Sequence, residues 1–387
     1  MNNLIVPDIV EIPVLAELKE YLNSRIIGQE TARDEVIDSL NIAMAGLNPP
    51  NHPLAVLMFP GPTGVGKTEL VRALADYFYD KFDKEIRAIE NIADQEAAGR
   101  HRKQVEKRVK LPKIIKIDCG RFAGSMSHAA IDLLGAPPSY VGREQPPILS
   151  CWNFPPGIVR VLLFDEIEKA YLDSRDKGAE LTGILMALLD DAHIQNNRNE
   201  EVSFVWTIVA FTTNFGARDI LKEATEKRIG FQLKPEESKG FSLTMEKTKE
   251  INDRIYFMIR DKLKSPESPF PPELMNRIDR VSVFRFLTKE EYRLILEKEI
   301  SFLRDQLSRR KTGADLRLSP EAADWILDNG IDFEYGVRSL QRFLRRKVRE
   351  PLAKFLNSGI LESGDILEIY PEADSLSFSL INSVSKS

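Results

Sequence analysis

"MFPGPTGVGKTEL", residues 58–70, is the stretch whose reading decides the fold. Gly61-Pro62-Thr63-Gly64-Val65-Gly66-Lys67-Thr68 matches the phosphate-loop pattern G-x-x-x-x-G-K-[ST] at every fixed position. Glycines let backbone N–H groups turn inward around an anion, and a helix that follows adds its positive end. In that chemistry Lys67 reaches the β- and γ-phosphates of a nucleoside triphosphate, and the Thr68 hydroxyl ligates Mg²⁺. The pattern means this only where a strand precedes it and a helix follows. Here "LAVLMF" (54–59) is a short continuous apolar run, and "KTELVRALADYFYDKF" follows with helical periodicity.

The same alternation continues outward. Further buried-strand candidates are "KIIKID" (113–118), "VRVLLFD" (159–165) and "FVWTIVAFTT" (204–213), separated by helical patterns such as "ELTGILMALLDDA". Strands alternating with helices imply an α/β fold with a parallel central sheet and right-handed crossovers. Ahead of it, "PVLAELKEYLNSRI" and "ETARDEVIDSLNIAMAGL" read as helices, the second stopped by "NPPNHP". After residue 287 the pattern turns helical, in "KEEYRLILEKEISFLRDQLSRR", "PEAADWILDNG" and "RSLQRFLRRKVREPLAKFLNSG", with "DILEIY" as a terminal strand. Residues 1–287 are therefore expected to form a large α/β subdomain, and 288–387 a small, mostly helical one. "SLSFSLINSVSKS" reads equally as an added strand or a loose tail. Residues 83–113, highly charged, look like an insertion between the first sheet helix and the second strand.

Phosphate-loop chemistry needs an acidic pair at the end of another strand. "VLLFDEIEKA" supplies Asp165, which would hold Mg²⁺ through water, and Glu166, which would orient the attacking water. Composition excludes other classes. The net charge of −5 argues against a protein that coats nucleic acid, and no apolar run approaches the ~18 residues of a membrane helix. The chain opens without a basic start and with early acids, unlike a secretory signal. Cys119 and Cys151 are the only cysteines and no histidines cluster, so a structural zinc site is not expected and a reducing, cytoplasmic compartment is.

Beyond these motifs, "RIIGQETARDEVIDSLNIAMAGLNPPNHPLAVLMFPGPTGVGKTELVRALA" resembles the AAA+ unfoldases of the Clp family, most of all the second ATPase module of its ClpB, ClpA and ClpC members. The resemblance runs through "LLGAPPSYVGREQ", "VLLFDEIEKA", "LMALLDDAHI", "TTNFGA", "PFPPELMNRIDRVSVF" and "YGVRSLQRFL", covering most of residues 22–350. It implies an ATP- and Mg²⁺-dependent hydrolase that forms a homo-oligomeric, hexameric ring, threads polypeptide through a central pore and in some members docks a ClpP-like peptidase. By motif, Ile27 and Gly28 of "IIGQ" would sit beside the adenine. Asn214 would be the polar sensor near the γ-phosphate, Arg277 of "NRID" the arginine finger for the neighbouring protomer, and Arg338 of "GVR" the second sensor on the lid. A guanidinium suits both tasks, being always charged and forked. In "SYVG", Tyr140 with Val141 would form the pore loop that grips substrate. "RIGF" (228–231) resembles the peptidase-docking loop, and a helix-end glycine before a buried Phe explains it as well.

The chain departs from the pattern in three respects. Pro146-Pro147 replaces the usual Gly-Gly after the pore tyrosine, stiffening the loop base. The insertion ends in Arg100, His101, Arg102, Lys103, Lys107, Arg108, Lys110 and Lys113; without interleaved aromatics it reads as a solvated face rather than a nucleic-acid contact. Within these residues no first ATPase ring, coiled-coil middle domain or adaptor-binding amino-terminal domain is recognised. A different class of function stays open beside the unfoldase: an ATP-gated assembly switch that recruits a partner through 83–113 without threading.

Overall fold

A computed structural model describes residues 15–92, 111–122, 129–137, 144–172, 177–217, 245–309, 314–332, 334–358 and 364–381. Tyr140, Val141, most of the basic insertion and the "RIGF" loop lie outside the described residues. In chain order the elements of the first half are α1 (Leu15–Arg25), α2 (Glu30–Met44), β1 (Ala55–Pro60), α3 (Lys67–Ile92), β2 (Ile115–Asp118), α4 (Ala129–Leu134), β3 (Arg160–Asp165), α5 (Lys169–Leu172), α6 (Lys177–Asp191), β4 (His193–Gln195), β5 (Glu201–Ser203) and β6 (Thr207–Thr213). Then come α7 (Met245–Lys264), α8 (Pro272–Met275), β7 (Arg280–Val281), α9 (Lys289–Ser308), β8 (Asp315–Leu318), α10 (Pro320–Gly330), α11 (Val337–Leu344), a π-helical turn (Arg345–Arg349), α12 (Glu350–Asn357), β9 (Ile366–Glu372) and β10 (Ser375–Ile381).

The central sheet has five strands in the order β2-β3-β6-β1-β7, with every neighbouring pair parallel. Every residue of β1 and β6 is buried, and β3 is buried up to Asp165. This is why their sequences are unbroken apolar runs: both faces are covered, so no position is left for polar alternation. Only β2 alternates, with Ile115 and Ile117 buried and Lys116 and Asp118 exposed. In this register Pro60 lies beside Thr213 and Asp118 beside Asp165, so the carboxyl ends of the central strands finish at one level. Open parallel sheets bind ligands at that edge.

By contacts the chain divides into two compact units. One holds Gly66–Ala217, Met258–Phe284 and the residues up to Gly61; the other holds Pro62–Val65, Arg285–Ser387 and the stretch ending at Phe257. The second unit packs α9–α12 on a three-stranded sheet ordered β10-β9-β8. On α9, Tyr292, Leu296, Ile300, Leu303 and Leu307 are buried at helical spacing. Its start is fixed by a capping box: the Thr288 side chain accepts from Glu291 N–H while the Glu291 carboxylate accepts from Thr288 N–H. At α10 the Ser319 side chain accepts from Ala322 N–H, without a reciprocal bond, and Pro320 takes the first helical position.

Three sequence expectations change. Residues up to Ile92 continue α3, so the start of the charged stretch is helix and not an excursion from it. The undecided tail is a strand as far as Ile381: it pairs antiparallel with β9, and Leu376 and Phe378 pack on the second core. The helix read through 338–357 is interrupted by the π turn. Among the described residues no helix is long and apolar enough to cross a membrane.

Candidate active site

The loop after β1 turns on glycine conformations. Gly66 has φ +104°, outside the range of an ordinary L-residue. Gly61 has φ +153°, and a Cβ there would stand 2.5 Å from the Phe284 carbonyl oxygen, so no side chain fits. Lys67 opens α3 and is buried; its Nζ donates to Gly61 O at 2.6 Å and to Asn214 Oδ1 at 2.8 Å. Buried glycine backbone, an inward ammonium and a helix N-terminus form a cradle whose chemistry fits a polyphosphate.

Asp165 ends β3 facing this loop. Its Oδ1 accepts from Thr68 Oγ1 at 3.2 Å and from Thr212 Oγ1, and its Oδ2 pairs with Lys116 Nζ at 2.6 Å. Burial works against ionisation here, but the hydrogen bonds from Lys116, Thr212 and Thr68 and the Lys116 charge outweigh it, holding the carboxyl below its ordinary value. An ionised carboxylate beside a threonine hydroxyl is a hard oxygen donor set, which fits Mg²⁺.

Glu166 follows at φ +55°, a left-handed conformation rare for a residue with a Cβ. Its N–H donates to Thr212 Oγ1 at 3.0 Å, and its carboxylate pairs with Lys169 one turn on. That pairing raises the Lys169 ammonium above its ordinary value. Asn214, just past β6, joins the parts: Oδ1 accepts from Lys67, Nδ2 donates to Glu166 Oε1 at 3.4 Å, and the backbone N–H donates to Glu168 Oε1 at 3.1 Å. The fold thus brings Lys67, Thr68, Asp165, Glu166 and Asn214 together because the strands that carry them are β1, β3 and β6, adjacent in the sheet.

The other candidate residues make separate contacts. Ile27 and Gly28 sit in the turn between α1 and α2, where Gly28 and Gln29 have φ +70° and +61°. Arg25, two residues earlier, pairs with Glu69 at 3.2 Å and Asp76 at 3.0 Å on α3, tying that turn to the phosphate-loop helix. The Arg277 guanidinium pairs with Asp190 on α6 and with the Glu273 carbonyl. Pro62, Thr63, Gly64 and Val65 cluster with the second unit, where Gly64 O accepts from Val337 N at 3.0 Å. Arg338 is exposed in the first turn of α11 of that unit. After α4, Leu149 N donates to Leu133 O at 2.9 Å, and Pro147 stands against Gly135, whose φ is +91°.

Comparison with known proteins decides the family. The family described as AAA domain (Cdc48 subfamily) matches residues 52–281, and the C-terminal, D2-small domain, of ClpB protein matches 287–369. The chain belongs to the AAA domain family (Cdc48 subfamily). Similar proteins include Chaperone protein ClpB 1 of Parasynechococcus marenigrum (strain WH8102), 32% identical over 95% of this chain and 35% of the relative. Another is Chaperone protein ClpB4, mitochondrial, of Arabidopsis thaliana, 32% identical over 92% of this chain and 30% of the relative. The chain spans about a third of the length of the curated relatives it matches.

In this AAA ATPase domain, four side chains at the site escape the motif reading. Lys116, Lys169, Thr212 and Glu168 each bond a residue that the motifs do name. Lys116 had a signal, since it is the polar member of an alternating strand. Which strand end it meets depends on the β2–β3 register, which no local pattern carries.

Proposed function

We propose that this chain is the ATP-hydrolysing module of a chaperone that unfolds proteins by drawing them through a ring of identical protomers. The observation that carries the reading is Asn214, which bonds both the phosphate-loop ammonium of Lys67 and the carboxylate of Glu166. A γ-phosphate bound at Lys67 and a water held by Glu166 would be registered by one side chain. Mg²⁺, held by Thr68 and Asp165, would neutralise charge on the phosphate oxygens. The loop N–H groups and Lys67 would bind the β- and γ-phosphates, Glu166 would orient the water, and Ile27 and Gly28 would flank the adenine. Arg277 would reach the nucleotide of the next protomer in a hexamer, Arg338 would report nucleotide to the lid, and Tyr140 with Val141 would grip the translocated polypeptide. Coupling to a ClpP-like peptidase through Ile229-Gly230-Phe231, in a cytoplasmic setting that leaves both cysteines reduced, is the finest form of this reading.

Glu166→Gln tests the chemistry: it is expected to bind ATP, assemble and hydrolyse almost nothing. Tyr140→Ala tests the threading: it is expected to keep hydrolysis and lose unfolding of a tagged substrate. Unaltered unfolding by Tyr140→Ala would refute threading by that residue; tolerance of Tyr140 changes, with function lost but ATP turnover kept on deleting 83–113, would favour the ATP-gated switch. Co-elution with a peptidase that survives Phe231→Ala would remove the docking role of that loop.

A further inference from the structure

Arg277 is held in a way that an exposed arginine rarely is. Its backbone is fixed first. Leu274 of α8 is fully buried, Arg277 N donates to Leu274 O at 3.1 Å, and Asp279 exchanges bonds with Val56 of β1, N to Val56 O at 2.9 Å and Oδ2 from Val56 N at 2.7 Å. β7 then joins the sheet beside β1 at Arg280 and Val281. The Cα of Arg277 is thereby referenced to the strand that delivers the phosphate loop.

The side chain is fixed second. Nε and Nη2 donate to the two carboxylate oxygens of Asp190, the latter at 2.8 Å, and Nη1 donates to Glu273 O at 2.8 Å. A guanidinium has five N–H groups in one plane. Asp190 takes the edge formed by Nε and Nη2, and Glu273 O takes one hydrogen of Nη1. One N–H group is left over on each terminal nitrogen, the outer fork of the guanidinium, and no bond among the described residues takes either. The side chain is only one-third exposed although its outer end is polar and charged. An ion pair made for stability alone has no need to fix all three nitrogens, and at a surface it contributes little.

We infer that Asp190 is a positioning residue for Arg277, turning its outer fork toward an anionic group supplied by another copy of the chain. The inference rests on the reading of Arg277 as the finger for a neighbouring nucleotide. Asp190 touches no nucleotide; it acts by removing the rotamer freedom that Arg277 would otherwise lose on meeting a phosphate. Misplacing a charged group by about 1 Å can cost on the order of 10²-fold in rate, and Asp190→Ala is expected to lower kcat by about 10- to 100-fold. KM for ATP stays unchanged, because the variant's own phosphate loop is intact.

The test is complementation in mixed assemblies of the full chain, with ATP turnover as the readout. Asp190→Ala keeps a working site and presents a poor finger; Glu166→Gln keeps the finger and lacks a working site. Mixing the two is expected to raise turnover per Asp190→Ala protomer toward wild type, and mixing Arg277→Ala with Glu166→Gln is expected to do the same. Asp190→Asn, equal in shape and still able to accept one bond, is expected to fall between wild type and Asp190→Ala, which separates loss of orientation from loss of fold. Wild-type kcat in Asp190→Ala overturns the inference. So does a defect in Asp190→Ala that mixing fails to restore while that of Arg277→Ala is restored, since the fault then lies in the variant's own site. If Arg277→Ala itself is not restored by mixing, the finger reading fails, and the inference falls with it.

Discussion

Replacing Thr212 by Val removes one oxygen atom and nothing else of consequence to shape. Thr212 is 1% exposed, and its hydroxyl accepts from Glu166 N–H while donating to Asp165 Oδ1. In the variant the Glu166 N–H loses its acceptor, at ~1–3 kcal/mol, and Asp165 loses one charge-assisted bond, at ~1.5–3 kcal/mol. Part of this is recovered, since the left-handed φ of Glu166 is strained by ~1–2 kcal/mol and can relax once its tether is gone. The net expectation is a loss of about 3 kcal/mol. With an m-value of ~3 kcal/mol per M, the urea midpoint of the unit that contains the central sheet falls by about 1 M. Thr212→Ser is the control: it keeps the oxygen and drops a methyl group, at ~1 kcal/mol. Equilibrium urea unfolding followed by circular dichroism measures both. A Val variant within ~0.5 kcal/mol of wild type, or a Ser variant as damaged as the Val one, refutes the claim that this hydroxyl holds the acidic pair in place.

Three further outcomes can be measured. Gly61→Ala forces a Cβ to 2.5 Å from the Phe284 carbonyl oxygen at positive φ, so a loss of ~1–3 kcal/mol in thermal stability is expected, together with weaker binding of a fluorescent ATP analogue. Asp165 has its pKa lowered in the fold, so its contribution to stability is present above the unfolded carboxyl value and lost as pH falls through the folded one. The stability difference between wild type and Asp165→Asn should therefore shrink on acidification, and a difference independent of pH would contradict the charged pairing. Thr288→Ala breaks the capping box of α9 and should destabilise the second unit by ~1 kcal/mol, leaving the unfolding midpoint of the first unmoved.

What sequence alone discloses follows from how each feature is encoded. β1, β3 and β6 are legible because burial on both faces demands apolar runs, and the phosphate loop is legible because its glycines and lysine are adjacent in the chain. β7 and β8 are too short to show a period; β7 exists because Asp279, Ser282 and Phe284 bond the backbone of β1, Ser282 N donating to Met58 O at 2.8 Å and Phe284 N to Pro60 O at 2.8 Å. Lys116, Lys169, Thr212 and Asp190 are common residues at positions no short motif marks. Each matters only through the partner it meets, and for Lys116, Thr212 and Asp190 that partner is distant in sequence. A motif reading names the groups that perform chemistry and misses those that hold them still.

The pairing of Leu133 with Leu149, sealed by Pro147 against Gly135, has a mechanical consequence. It ties the last turn of α4 to the chain at Leu149, so a pull on Leu149 is shared with the helix that ends at Leu134 and is not borne by one stretch of chain.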